Sequence, residues 1–138
     1  MAGTLVELIE GNLEMLVDGI TKEAIQRIPS YEKAPIKQTL IRMERLIGVL
    51  VESIRCNDPS ILEQYVMGLA EQRRVQAYRV GELHAILDIL ERHLRDLVVQ
   101  TTPDEVERNA HLALADATIA SARMILSTAY LLLAQANS

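Results

Sequence analysis

Apolar residues recur along this chain at helical spacing in one segment after another. Val6, Ile9, Leu13, Leu16, Ile20 and Ala24 share one face of a helix expected from about Thr4 to Ile28. Pro29 stops that helix, and Pro29-Ser30-Tyr31-Glu32-Lys33-Ala34-Pro35 reads as a loop. A second helix carries Ile36, Leu40, Met43, Ile47, Leu50 and Ile54 at alternating spacings of four and three. Asn57-Asp58-Pro59 ends it, with Asp58 capping the next helix and Pro59 in its first turn. The third helix presents Leu62, Val66 and Leu69 before turning polar through Glu71, Gln72, Arg73, Arg74 and Gln76, and Gly81 marks a break. The fourth carries Val80, Leu83, Leu87, Leu90, Leu94 and Leu97.

The last segment, from Thr102 onward, organises the rest. Thr102 is placed to N-cap, Pro103 suits the first helical position and Glu105 completes a capping box. Two heptad stripes follow. One is Leu112, Ala115, Ile119, Ala122, Leu126, Ala129 and Leu133; the other is Val106, Ala110, Ala113, Ala117, Ala120 and Met124. A helix apolar on two sides needs cover on both. One stripe is expected to pack on its own chain and the other on a second copy. Ala110, Ala113, Ala117, Ala120 and Met124 are the candidate dimer interface, because alanine lets two backbones approach closely; Ile119 and Leu126 of the other stripe are the alternative. No segment alternates with period two. The expected fold is therefore all-α: one domain over residues 1–138, a five-helix antiparallel bundle or a related globular helical fold with a long C-terminal helix.

Composition narrows the chemistry. The chain of 138 residues has no Phe and no Trp, a net charge of −5 and one cysteine, Cys56. The acidic balance argues against nucleic acid and against an anionic membrane surface. A lone cysteine excludes an internal disulfide and a cysteine-based zinc cluster. The N-terminus lacks the positive region of a signal peptide, and the apolar run Met124–Ala134 is short for a bilayer span, with Arg123 interrupting its extension. A cytoplasmic protein is the expectation.

His84 and His93 stand nine apart on one helix and His111 on another, whereas a helical metal pair needs three or four residues between ligands. No Lys-Gly of the phosphotransfer kind accompanies either His84 or His93, and haem would lack its usual aromatic contacts. Ala77 to Gly81 resembles a helix-turn-helix turn, but the helix after it is too apolar and acidic to face phosphates. Arg73 and Arg74, with Arg79, Tyr65 and Tyr78, form a basic segment able to hold an anion or a partner's carboxylates; a solvated helix face is the simpler account. No nucleophile, base and orienter stand at supporting spacings, so neither an enzyme nor a cofactor is expected.

The run Leu69-Ala70-Glu71-Gln72-Arg73-Arg74, then Tyr78-Arg79-Val80-Gly81-Glu82-Leu83, Ile86-Leu87 and Leu90, with Asp58 to Tyr65 before it, resembles the N-terminal helical domain of RsbR/RsbD-type stressosome co-antagonists. The similarity covers roughly Ile36 to Leu97; the N-terminal helical domain of RsbU-type phosphatases is a more distant likeness. The resemblance implies a haem-free globin-like helical domain, dimeric, that serves as a sensory input module of bacterial stress signalling with a protein partner in that pathway. The alternative is a small-ligand sensor with an apolar cavity lined by aliphatics and by Met43, Met67 and Met124.

Overall fold

The computed structural model describes residues 4–75 and 80–136, and these form an all-α domain. Its elements are α1 (Leu5–Gly11), α2 (Leu13–Arg27), α3 (Pro29–Glu32), α4 (Ile36–Arg55), α5 (Ser60–Val75), α6 (Val80–Thr101) and α7 (Glu105–Ala136). Helix α7 lies against α5 and α6, α2 against α4 and α6, and α4 against α5. Between them sits an aliphatic core in which Ile9, Ile20, Leu50, Leu62, Leu90, Leu94, Ile119 and Leu126 are wholly buried.

Three boundaries differ from the pattern. The first long helix is two, because the chain turns at Asn12, whose side-chain amide donates to the Leu8 carbonyl at 2.9 Å. Its apolar spacing runs on across that turn, so periodicity does not reveal it. The segment after Pro29 is not all loop: Pro29 opens the single turn of α3, which seats Tyr31 in the core at 2% exposure. Helix α7 begins at Glu105 rather than at Thr102. Thr102 is buried and its amide still bonds to the Val98 carbonyl of α6, while Asp104 provides the cap by accepting from the Glu107 amide at 2.9 Å.

The entry to α5 follows its sequence signal. Asp58 accepts from the amide and the hydroxyl of Ser60, and these bonds hold its carboxyl below the usual range. Buried Ser53 of α4 accepts from the Leu62 amide at 2.8 Å and pins the two helices together. In α4 the buried side is centred on Thr39, Met43, Leu46, Leu50 and Ser53, so Ile36, at the edge of the expected stripe, is exposed.

Helix α7 tests this description through its two stripes. Leu126→Ala should cost about 3 kcal/mol by opening a cavity against α5 and α6, whereas Met124→Ala on the outer face should stay within about 0.5 kcal/mol. Urea unfolding midpoints of the two variants measure the contrast.

Candidate functional site

The sequence candidates on α7 divide as the two stripes suggest. Ala115, Ile119, Ala122 and Leu126 are at 0% exposure and face their own chain, which removes Ile119 and Leu126 as intermolecular residues in this fold. Ala110, Ala113, Ala117 and Ala120 are exposed, and Val106 and Met124 at the two ends of their stripe are 79% and 73% exposed. At about 100° per residue, Val106, Ala110, Ala113, Ala117, Ala120, Met124, Thr128 and Leu131 fall within an arc of about 80°. The strip they make is about 38 Å long at 1.5 Å per residue. It carries no charged side chain. Even the Thr128 hydroxyl is occupied, donating to the Met124 carbonyl of its own helix at 3.1 Å.

The flanks explain why the strip is uncharged. Beyond Arg108 the only charged side chains of α7 are Asp116 and Arg123, and both turn toward α6. Arg123 bonds to Asp88 at 2.7 Å and to Glu91 at 3.0 Å, and these carboxylates raise its pKa further above the usual arginine value. Asp116 accepts from Arg95 at 2.5 Å. On the opposite flank stand Leu114, Ser121, Ile125 and Leu132, with Leu114 39% and Leu132 59% exposed. A contiguous uncharged strip of this length, bordered on one side by ion pairs and on the other by more apolar surface, has the character of an interaction face.

By length and composition alone, Glu105–Leu132 is also long and apolar enough to cross a bilayer, a longer run than Met124–Ala134. Its buried stripe is engaged with α5 and α6, and its Asp116 and Arg123 are paired with α6 side chains. A span would have to give up both.

The remaining candidates are scattered. Tyr78 lies outside the described residues, as do the side chains of Arg73 and Arg74. Among the described residues no three His, Cys, Asp or Glu side chains gather as a metal site. The histidines occupy three separate settings. His84 lies beside Ser127 and Tyr130 on α7, His111 is 3.4 Å from Glu107 one turn earlier, and His93 meets Glu23 of α2 at 3.0 Å. Met43 is packed in the core while Met67 and Met124 are exposed, so the three methionines do not share a cavity. An open cleft of about 910 Å³ runs between residues 11–18 and α4, and Glu14, Asp18 and Glu44 are among the residues that line it.

Sequence reasoning missed the polar cluster that joins α2 to α6. Glu23 takes Arg27 of its own helix together with Arg92 and His93 of α6. The helices meet closely there: a side chain at Gly19 would place its first carbon 3.1 Å from the His93 ring. Glu23 and His93 are 70 residues apart, and no local spacing signals such a contact. Burial holds the His93 pKa below the usual histidine value and Arg92 adds to the effect, while Asp96 opposes it.

Protein-family models, characterised proteins and solved structures were compared with the chain, and none matches it.

The depressed His93 pKa has a defined sign. The unfolded chain takes up the His93 proton first, so this contribution is full above pH about 6.5 and is lost as pH falls through and below that value. Urea midpoints at about pH 7.5 and about pH 5.5 should therefore fall further for the wild type than for His93→Asn. An equal fall in both would remove His93 from the account.

Proposed function

We propose that this chain is a non-enzymatic helical signalling or interaction module that forms a homodimer through the outer face of α7. One observation carries the reading: the stripe Val106, Ala110, Ala113, Ala117, Ala120 and Met124 is exposed and uncharged along its length. Full burial of a side chain such as Val106 or Met124 is worth about 1.5–3 kcal/mol, and the small alanines between them allow an interhelical distance near the lower end of about 8–10 Å. A second copy supplies such a surface without any other molecule, and cyclic dimers are the commonest soluble assembly.

The resemblance of the Ile36–Leu97 region to RsbR/RsbD-type input domains supports assigning the module to bacterial stress signalling, in the cytoplasm and with a further protein as its output partner. In that role the dimer positions the partner, and the α2–α6 and α6–α7 polar contacts are the places where a signal would alter helix packing.

Ala117→Glu and Ala120→Glu each place a carboxylate in the middle of the strip. Sedimentation should show the wild type as a dimer and both variants as monomers with unchanged helical circular dichroism. Unchanged dimers for both variants would remove this face from the interface.

A further inference from the structure

We infer that the groove between the end of α2, α3 and the first half of α6 binds a small organic acid, its carboxylate held between Arg27 and Arg92. The inference supplies an input at the α2–α6 joint and does not depend on the pairing of α7.

The groove consists of two adjoining hollows of about 480 Å³ and 410 Å³ that share Arg27, Ile28 and Ala85. Each is large enough for a small organic molecule. The first continues past Pro29 and Ser30 to Lys33 and Gly81, and the second past Asp88 and Ile89 to Arg92. From Gly81 to Arg92 the groove follows α6 for about 16 Å. Ile28 and Ile89 are each 3% exposed and close its floor. The apolar surface open to a ligand therefore comes from Pro29, Ala85 and the hydrocarbon stems of the basic side chains.

Charge is unevenly matched at the Arg92 end. Glu23 Oε2 takes both Arg27, at 2.9 Å, and Arg92, while Glu23 Oε1 takes the His93 ring at 3.0 Å. Two guanidinium groups on one oxygen lie within about 6 Å of each other. Two positive charges, 61% and 49% exposed, thus stand side by side against a single carboxylate. Each guanidinium has five N–H donors and spends one nitrogen on Glu23. Both groups line the same hollow, which gives a second carboxylate a pair of donors to bridge.

The acidic side chains of the lining are engaged elsewhere. Asp88 accepts from Arg123 of α7 at 2.7 Å. Glu82 accepts from the Ser30 hydroxyl at 2.7 Å, its second oxygen is shielded from solvent, and it stands about 15 Å along α6 from Arg92. A carboxylate between Arg27 and Arg92 would send its hydrocarbon body over Ala85 and Pro29, away from Asp88 and toward Gly81. Glu23 and the ligand draw on the same two guanidinium groups, so they compete. Occupancy of the groove is thereby coupled to the contact that joins α2 to α6.

Titration of the full chain with octanoate, octanol and acetate, followed by the NMR signals of the isoleucine methyls and the His93 ring, tests the site. Octanoate should shift the Ile28, Ile89 and His93 signals saturably. It should bind at least about tenfold more tightly than octanol, which lacks the charge, and than acetate, which lacks the chain. Arg92→Gln should weaken octanoate at least about tenfold. Glu23→Gln keeps an acceptor for His93 but removes the competing charge, and should tighten octanoate; damage to the fold does not produce a gain. Equal affinity for octanoate and either control overturns the site, as do saturable shifts confined to other signals or no saturation with any probe. Glu23→Gln binding octanoate no more tightly than the wild type overturns it as well. The three-probe comparison uses the unaltered chain and stands even if a variant fails to fold. Sedimentation is a separate readout, and a monomer that binds octanoate in this way supports the groove while removing the α7 dimer.

Discussion

The structure depends on how α7 is held. One of its faces is locked into the core by Ala115, Ile119, Ala122 and Leu126, and the only charged side chains in its central and C-terminal parts are turned sideways onto α6. Those two facts fix the rotation of the helix about its axis. With the aliphatic stripe inside and the ion pairs on one flank, the alanine stripe has nowhere to go but outward. The exposed face is thus a consequence of the same packing that stabilises the domain.

The other helices support that placement. Helices α5 and α6 form the surface on which α7 rests, and α2 and α4 complete the core behind them. Polar contacts reinforce particular joints: Ser53 to the Leu62 amide between α4 and α5, Glu23 with Arg92 and His93 between α2 and α6, and Arg123 with Asp88 and Glu91 between α6 and α7. The Ser53 bond is buried within its contact, whereas the two charged clusters are partly exposed. Their energetic weight is modest beside burial, because most of these side chains are partly solvated, but they select one rotation of each helix over its neighbours.

Much of this was legible in the amino-acid pattern. The two stripes of α7, the stop at Pro29 and the cap at Asp58 follow from local spacing and local hydrogen-bonding capacity, which the chain carries within a few residues. What was not legible depends on distant groups. The helix start expected at Thr102 moves to Asp104, because Thr102 is buried at the end of α6. The turn at Asn12 is hidden because apolar spacing continues through it. The Glu23 cluster joins residues far apart in the chain and has no sequence signature. As for the site, the two stripes could be read in advance, but which of them faces inward required the positions of α5 and α6.

The central claim is that the outer face of α7 is covered by a second copy, and native mass spectrometry of the intact chain tests it most directly. The account predicts a species at twice the chain mass of 15.4 kDa with no additional adduct. A single species at 15.4 kDa, persisting as the protein concentration is raised, would contradict it.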